Sequence, residues 1–492
     1  MRAWTLGLAA EPATGEARFV AISRAIAAAI RQGRLVPGAP IPGSRTLAKD
    51  LGVHRNTVLA ALRELESEGW IETSPARGTF VRSTLPDATE TAGRRAKNNG
   101  RDPDKLGFPL GGLKVTDETV RQYMPTAAHD KGVLALLGGL PDLRLLPRAV
   151  IARVHRRALG SAASLRYGDA LGDEKLREQL GEMLGRTRGI ARAACGLIVT
   201  RGSTMGLFLA ASAVLQRDDV VLVEAMGYRP AWEALRFTGA RVVPIPIDRE
   251  GIRTDLVERA CAAGRVRAVY VTPHHQYPTT ATLGAGRRMR LLELARKYAF
   301  AIFEDDYDHE FHYDGRPTLP LASADAHGSV VYIGTLSKVL APGLRLGFVV
   351  GPQSLVKRMA EVRTFVDRQG DLVTERAIAE LLEDAEIQRH VRKMKRVYHT
   401  RRDALVAALR RRLGDVLVFH VPKGGLAIWA KASKSVDVDA WAERAGKAGV
   451  LVQTARRFAF DGRAHPAMRL GFAPLDEREI NLAVSKLADA LR

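Results

Sequence analysis

One lysine in the sequence has neighbours that could make it a nucleophile. Lys338 follows a β-rich run and ends the segment Gly334-Thr335-Leu336-Ser337-Lys338, in which small and hydroxyl-bearing residues precede it. A lysine amine attacks a carbonyl carbon only if burial or nearby cations keep it neutral. Arg345 follows seven residues later, and its planar guanidinium suits two parallel hydrogen bonds to a phosphate. A lone Ser-Lys pair would indicate a surface lysine, whereas this flanking pattern favours chemistry at the amine.

Acidic residues cluster directly after an apolar run upstream of this lysine. The segment is Phe303-Glu304-Asp305-Asp306-Tyr307-Asp308, and binding sites of α/β proteins lie at the carboxyl ends of parallel strands. We therefore expect one carboxylate to face a bound ligand, and Asp305, Asp306 and Asp308 are the candidates. Such a run could instead hold a metal ion, but no His or carboxylate cluster with ligand spacing accompanies it. The sequence thus predicts no metal site.

A third segment could bind phosphate. Arg201-Gly202-Ser203-Thr204 follows a β-rich run and opens a helical pattern, and the amides at a helix N-terminus bind phosphate well. A Gly-Ser-Thr sequence by itself more commonly marks an ordinary loop. The segment therefore indicates a phosphate site only in combination with the Lys338 segment and the acidic segment.

The elements that must hold these segments alternate between strands and helices. From about residue 133 onward, helix-like stretches separate apolar β-rich runs, which indicates a buried, mostly parallel sheet. The runs are Leu197–Thr200, Val220–Glu224, Arg241–Ile247, Ala268–Thr272, Phe300–Asp305, Val330–Gly334 and Gly347–Val350. The last 75 residues or so change to a smaller α+β unit. The fold class expected for this part is α/β.

The beginning of the chain predicts a different module. Three stretches with apolar residues at helical spacing precede two short strands, which is the pattern of a winged helix-turn-helix. The recognition helix of such a motif enters the major groove, and here its first residues are His54, Arg55, Asn56 and Thr57. The other candidate DNA contacts are Ser44 and Arg45, which suit phosphate, and Arg77 at the hairpin tip, which could reach the minor groove. Taken singly, each could be an ordinary surface residue.

Composition narrows the possible protein classes. The 492 residues carry a net charge of +21 and 46% hydrophobic residues, and they include two cysteines. This excludes a mainly disordered chain or a disulfide framework, and the apolar runs are too short to cross a bilayer. We expect a cytoplasmic protein that does not bind membranes. The first 82 residues hold 11 basic and 7 acidic residues, so charge alone does not mark them as DNA-binding.

A change of composition separates the two modules. Residues 83–131 contain few periodic apolar residues and a basic cluster at Arg94-Arg95-Ala96-Lys97, so we expect a flexible linker. The domains predicted are 1–82 for DNA binding, 83–131 for the linker and 132–492 for the large domain. The basic cluster could touch DNA phosphates, although a solvated tether is the simpler interpretation. Most of the positive charge lies in the large domain, where a solvated surface is at least as plausible as a DNA contact.

The N-terminal residues resemble the GntR family of bacterial winged-helix regulators. The resemblance rests on Ile41–Val53, on Arg55-Asn56-Thr57-Val58 and on Gly78-Thr79-Phe80-Val81. It implies binding to double-stranded DNA. His54 stands where the family commonly has Ser, a residue that would cap the helix and contact phosphate.

The large part resembles fold type I enzymes that use pyridoxal 5'-phosphate (PLP). The resemblance implies an aldimine between Lys338 and the cofactor, with Asp305 against the ring nitrogen and Arg469 or Arg456 binding an effector carboxylate. It assigns the other cofactor contacts to Tyr307, Ser203, Thr204, Tyr228, Tyr277, Thr335, Ser337, Arg345 and Tyr167. Tyr277 replaces the Asn of ordinary aminotransferases, and Tyr167 is expected to reach the phosphate of a neighbouring subunit.

A GntR-like module joined to an aminotransferase-like domain resembles the MocR subfamily. This resemblance implies a homodimeric, PLP-dependent transcriptional regulator that senses an amino acid, an amine or PLP itself. Two other functions remain open: an active aminotransferase with an attached DNA-binding domain, and a DNA-binding protein with a non-functional scaffold. The sequence does not decide whether any transaminase turnover occurs.

Overall fold

The computed structural model describes residues 10–12, 15–74, 77–86, 132–190 and 196–491. These residues form two compact units, one within residues 1–111 and one within residues 112–492. Residues 87–131, most of the expected linker, lie outside the described residues. The predicted boundaries at 82 and 132 therefore stay predictions.

The first unit contains three helices and a hairpin. The helices are α1 (Arg18–Arg31), α2 (Ser44–Asp50) and α3 (Arg55–Ser67), and the strands are β1 (Ile71–Ser74) and β2 (Gly78–Val81). The strands pair antiparallel, and Ile71 lies opposite Val81. Ile22, Val58 and Leu65 are fully buried between the helices. This is the winged helix-turn-helix that the sequence predicts.

The large unit has eleven further helices among its described residues. They are α4 (Arg148–Leu159), α5 (Glu174–Arg188), α6 (Gly202–Val214), α7 (Arg229–Arg236), α8 (Thr254–Ala263), α9 (Ala285–Tyr298), α10 (Gln353–Val366), α11 (Leu372–Glu383), α12 (Glu386–Leu413), α13 (Val438–Lys447) and α14 (Glu477–Asp489). Among the described residues, no helix combines the length and the apolar character that a membrane span requires.

Strands lie between many of these helices along the chain. They are β3 (Leu134–Ala135), β4 (Gly196–Thr200), β5 (Val220–Glu224), β6 (Arg241–Ile245), β7 (Ile247–Asp248), β8 (Gly251–Ile252), β9 (Val266–Val271), β10 (Ala301–Asp306), β11 (Val330–Thr335), β12 (Gly347–Gly351), β13 (Leu417–Phe419), β14 (Ala427–Ala432), β15 (Val450–Leu451), β16 (Gln453–Thr454) and β17 (Ala467–Gly471). The seven runs expected from the sequence correspond to β4, β5, β6, β9, β10, β11 and β12.

Those seven strands form one sheet in the order β4-β12-β11-β10-β9-β5-β6. The neighbours from β11 to β6 are parallel, whereas β12 is antiparallel to both β11 and β4. Helices cover this sheet, and strand residues such as Val269, Phe303 and Ile333 are fully buried. The carboxyl ends of β5, β9, β10 and β11 therefore meet at one edge, where the residues that follow them come together.

The last part of the large unit forms a smaller subdomain. Strands β13, β14, β17 and β16 form a four-stranded antiparallel sheet, and α13 and α14 pack near it. In this sheet Arg469 of β17 lies opposite Trp429 of β14. The predicted α+β subdomain is thus confirmed.

Candidate functional site

A cavity lies at the edge where the parallel strands end. It is lined by Gly138, Gly139, Ser203, Thr204, Tyr228, Thr272, Tyr277, Asp305, Tyr307, Thr335, Ser337, Lys338, Pro342 and Arg345. Ten of these are the cofactor-binding residues expected from the sequence. Segments more than 200 residues apart in the chain thus converge on one small space.

Lys338 follows β11 and places its amine in this cavity. Burial, together with the nearby Arg469 and Arg345 cations, lowers the pKa of the amine to about 8, although the Asp308 and Asp305 carboxylates act in the opposite direction. A pKa of about 8 leaves a useful fraction of the amine neutral near neutral pH. Lys338 therefore has the electrostatic surroundings of a nucleophilic lysine.

Asp305 is the carboxylate that faces the cavity. Its Oδ2 accepts a hydrogen bond from the Tyr270 hydroxyl at 2.7 Å, while its Oδ1 is buried and has no hydrogen-bond partner in the described part of the chain. Burial raises the pKa of Asp305 to about 6. The two competing candidates are engaged elsewhere, because Asp306 accepts from Tyr332 at 2.7 Å and Asp308 lies 2.8 Å from His275 Nδ1.

The opposite end of the cavity collects groups that suit an anion. Ser203 and Thr204 lie in the first turn of the 13-residue helix α6, where free backbone N–H groups and the helix dipole attract negative charge. Gly202 has φ +78°, and a side chain there would come within 2.8 Å of the Arg345 guanidinium. Glycine therefore allows Arg345 to lie against the start of this helix.

The Ser337 and Thr335 hydroxyls complete that end. The Ser337 N–H donates to Thr335 Oγ1 at 3.1 Å, and the two hydroxyl oxygens are 3.0 Å apart. This hydrogen bonding fixes the turn that leads from β11 to Lys338.

Three tyrosines form an aromatic wall. The Tyr277 ring packs edge-on against Tyr228 and Tyr307, with ring centres 5.6 Å and 5.8 Å apart. Burial raises the pKa of Tyr228 to about 12, so its hydroxyl stays protonated. The Tyr307 hydroxyl donates to the His275 carbonyl oxygen at 3.0 Å, and its oxygen can still accept a further hydrogen bond.

Arg469 lies beside the cavity with an unpaired guanidinium. It is fully buried, and its carbon Cζ stands 4.5 Å from the centre of the Tyr277 ring. Among the residues that the structure describes, none is a hydrogen-bond partner of its side-chain nitrogens. A side chain at Gly138 would collide with this guanidinium. A buried cation with unused donors is costly, and a carboxylate ligand would satisfy it.

Besides Arg469, two of the predicted cofactor and effector residues do not line the cavity. Arg456 is exposed and forms a 2.9 Å ion pair with Asp439, so Arg469 is better placed for a carboxylate. Tyr167 is 79% exposed, and the Arg368 guanidinium lies 4.2 Å from its ring centre. An exposed position agrees with the expectation that Tyr167 acts at a neighbouring subunit, which stays a prediction.

Sequence reasoning missed groups behind the cavity wall. Glu224 at the end of β5 accepts a hydrogen bond from the Thr272 hydroxyl at 2.7 Å, and Thr272 Oγ1 in turn accepts from the Tyr277 N–H at 2.9 Å. Burial raises the pKa of Glu224 to about 7. Their positions directly after β5 and β9 could have indicated them, since these strands share the edge with β10.

The expected DNA contacts lie on the first unit. Arg45, His54, Arg55, Asn56 and Arg77 are exposed, while Ser44 and Thr57 are partly buried. His54 caps α3 itself, because its Nδ1 accepts the Asn56 N–H at 3.3 Å. Arg55 Nε donates to Ser44 Oγ at 3.2 Å, which joins the starts of α2 and α3. The replacement of Ser by His thus preserves the cap.

Comparison with known proteins places both units. Residues 20–81 match the family of bacterial regulatory proteins called gntR, and residues 138–487 match aminotransferase class I and II. The HTH-type transcriptional regulator TauR of Rhodobacter capsulatus is 30% identical over 467 residues, which cover 94% of each chain. The chain belongs to the MocR subfamily of GntR regulators. The probable rhizopine catabolism regulatory protein MocR of Rhizobium meliloti is 28% identical over 94% of this chain and 91% of its own.

Solved structures resemble the large unit of this MocR-type chain. A kynurenine aminotransferase from Pyrococcus horikoshii, solved with PMP, has a TM-score of 0.71 and 30% identity over 77% of this chain and 95% of its own. LysN of Thermus thermophilus, solved with N-(5'-phosphopyridoxyl)-L-leucine, has a TM-score of 0.68 and 28% identity over 73% and 92%. The MocR-type large unit therefore has the fold of PLP-dependent aminotransferases.

The cavity fits this cofactor on its own evidence. The unpartnered Asp305 Oδ1 suits a ring N–H, the start of α6 with Arg345 suits a phosphate, and the Lys338 amine suits an aldehyde. The groups suited to these three contacts line one cavity of the MocR-type chain.

Proposed function

We propose that this chain is a PLP-dependent transcriptional regulator whose DNA affinity responds to an amino acid or amine bound beside Lys338. The observation that supports this proposal is the presence of a candidate DNA-binding site and a candidate cofactor site in one chain. A winged helix presents Arg55 and Asn56 to solvent, and a separate cavity contains a lysine amine of lowered pKa next to the unpaired Arg469.

The residues of the cavity would hold the cofactor in a defined way. Ser203, Thr204 and Arg345 would bind its phosphate, Asp305 its ring nitrogen, and the wall of Tyr228 and Tyr277 its ring faces. When bound, PLP supplies an aldehyde that condenses with amines and a ring that withdraws electrons. The ionised Asp305 favours a protonated ring nitrogen, and the neutral amine of Lys338 is the form that can bond to carbon.

The effector proposed is a small amine that carries a carboxylate. Arg469 offers a planar set of donors without partners, and an α-carboxylate matches it in charge and shape. PLP as the effector, sensed as cofactor supply, is the alternative. It would leave the Arg469 guanidinium without a carboxylate.

Exposed apolar residues support a homodimer. Phe365 is 91% exposed and Leu165 is 65% exposed. Leu165 lies two residues before Tyr167 in the chain, and Phe365 lies three residues before Arg368, whose guanidinium is 4.2 Å from the Tyr167 ring centre. Apolar surface of this kind is commonly covered by a partner. A second copy would also bring Tyr167 to the other subunit's cavity, as the family resemblance implies.

Regulation then follows from differential binding. An effector shifts the equilibrium between two states of the protein only as far as its affinities for them differ. We infer that a ligand that engages both Lys338 and Arg469 favours one state, and that the two states bind DNA differently.

The test measures the cofactor and the DNA together. The protein is loaded with PLP and titrated with a panel of amino acids and amines, while its absorbance and the mobility of a DNA fragment selected from a random pool are recorded. One class of amines should change both signals at the same concentration. Lys338→Ala should lose the near-visible absorbance band and the response, whereas the exposed control Lys434→Ala should keep both. A spectral change with unaltered DNA mobility for every ligand would contradict regulation.

An active aminotransferase is the second candidate. The structures with 30% identity are aminotransferases, and the Lys338 amine has the pKa of a group that can move protons near neutral pH. Sustained conversion of an amino donor and a keto acid over many turnovers would favour this function. Absence of the PLP band in protein incubated with PLP would instead leave the large unit as a scaffold.

A further inference from the structure

Four histidines meet in the segments that follow two neighbouring strands, β9 and β10. His274 and His275 follow β9, and His309 and His312 follow its parallel neighbour β10. The ring centre of His274 lies 4.3 Å from that of His275, 4.6 Å from that of His309 and 6.1 Å from that of His312. The chain has 12 histidines in 492 residues, so a third of them lie in this one cluster.

In this cluster, ring nitrogens of His274 and His312 lack hydrogen-bond partners among the described residues. His274 is 4% exposed, and neither of its nitrogens has a hydrogen bond in the described part of the chain. His312 is partly buried, and its Nδ1 is also unpartnered. Buried polar atoms are almost always paired. An imidazole whose two nitrogens are both unused, beside three other imidazoles, suggests a missing ligand that binds lone pairs.

We propose that His274, His275 and His312 bind a divalent transition-metal ion, with zinc the metal that fits best. One nitrogen from each residue can be chosen so that all three lie within 4.8 Å of one another. Imidazole is a preferred ligand of zinc, whereas calcium and magnesium require oxygen ligands. Three histidines also leave a fourth position for water or a small ligand.

Asp308 supports this assignment. Its Oδ1 lies 2.8 Å from His275 Nδ1, which leaves Nε2 of the same ring for the metal. A carboxylate that accepts the second ring N–H of a histidine is the usual outer partner of a zinc ligand. His309 is not assigned as a ligand, because among the described residues the nitrogens that meet within 4.8 Å belong to His274, His275 and His312.

The metal would contract the cluster and has a route into it. Tetrahedral zinc with Zn–N bonds near 2.0 Å sets its ligand atoms about 3.3 Å apart, so the rings would rotate inward from the present 4.8 Å limit. A cleft of about 280 Å³ is lined by His309, His312 and Glu310.

The test measures zinc retention by the full-length protein. Protein purified without a metal-affinity step is stripped with a chelator, incubated with zinc, dialysed and analysed by mass spectrometry for bound metal. We expect about one zinc per chain, and X-ray absorption should give three nitrogen ligands near 2.0 Å. His312→Gln should weaken zinc binding at least about tenfold, as should His274→Gln, while the exposed control His420→Gln should not.

Folding must be separated from metal loss. The melting temperature and the PLP absorbance of each variant show whether it folds, and His312→Gln is informative even if the more buried His274→Gln unfolds. No zinc retained by the parent protein would overturn the proposal. So would a full equivalent retained by folded His312→Gln with unchanged affinity.

Discussion

At the scale of single residues, the cavity depends on charges held in unusual protonation states. Lys338 is partly neutral near pH 8, while Asp305, with its pKa raised only to about 6, stays largely ionised at neutral pH. Burial produces both shifts, because it disfavours the charged form of each group. The same burial leaves Asp305 Oδ1 and the Arg469 guanidinium without protein partners.

The first prediction concerns the pH dependence of cofactor uptake. Only the neutral Lys338 amine attacks an aldehyde, so uptake of PLP by cofactor-free protein should accelerate as the pH rises through about 8. Arg469→Met should move this midpoint upward, because the Arg469 cation lowers the pKa of the lysine. Stopped-flow absorbance between about pH 6.5 and 9.5 would show the midpoint. A midpoint above pH 10 in the parent protein would contradict it.

The second prediction concerns Asp305 Oδ1, the buried carboxylate oxygen that has no hydrogen-bond partner among the described residues. Asp305→Asn removes the charge that the ring nitrogen needs but keeps the side-chain shape. Hydrogen bonds to charged groups contribute about 1.5–3 kcal/mol, so the Kd for PLP should rise by about 10- to 100-fold. Equilibrium dialysis against PLP measures the change, and the exposed Asp461→Asn serves as the control. Equal affinities of the two variants would remove Asp305 from the proposed role.

At the scale of elements, order in the sheet decides which segments meet. Strands β5, β9, β10 and β11 end at one edge. Tyr228, Tyr277 and Lys338 follow three of these strands and Asp305 lies near the end of β10, so all four residues share the cavity. The antiparallel β12 brings Arg345 back beside α6. In the first unit, the His54 cap fixes the start of α3 and thereby the exposed Asn56.

The third prediction separates two kinds of DNA contact on α2 and α3. Asn56→Ala at the start of the recognition helix should cost about 1–3 kcal/mol on the selected DNA and relax preference at one position. Arg45→Ala should weaken binding to all sequences and reduce the salt slope by about one. Fluorescence anisotropy at several salt concentrations, on selected and shuffled DNA, distinguishes them. An unchanged preference in Asn56→Ala would argue against a base contact.

At the scale of the whole molecule, the proposed regulation requires that effector binding and DNA binding are thermodynamically coupled. If an effector changes DNA affinity by some factor, DNA must change effector affinity by the same factor. This reciprocity does not depend on how the units are arranged.

The fourth prediction uses that reciprocity. Arg469→Gln should keep PLP binding and DNA binding but weaken the carboxylate-bearing effector about 10- to 100-fold, as loss of a charged hydrogen-bonding partner does. In the parent protein, saturating DNA should change the Kd for the effector by the same factor by which saturating effector changes the Kd for DNA. Calorimetry and anisotropy together measure both shifts. No shift of either titration in the parent protein, or a full effector response in Arg469→Gln, would contradict the proposed regulation.

Much of this protein is determined locally by its sequence. The seven main strands and the winged helix could be identified from apolar periodicity and turn residues, because these features depend on neighbours in the chain. The cavity residues from Ser203 to Arg345 were predicted from the resemblance of short motifs to those of PLP enzymes. The sequence also named Arg469 and Arg456 as alternatives without deciding between them. It missed Glu224 and Thr272, whose roles come from hydrogen bonds across adjacent strands.

Only the tertiary structure decided what depends on distance through space. It placed Arg469 beside the cavity and paired Arg456 with Asp439, and it turned Asp305 rather than Asp306 or Asp308 toward the ligand space. It also gathered His274, His275 and His312, which the sequence keeps in two separate segments and from which no metal site was expected. The physical reason is that burial, charge pairing and ligand geometry are set by strand order and side-chain packing, and neither is encoded in the spacing of residues along the chain.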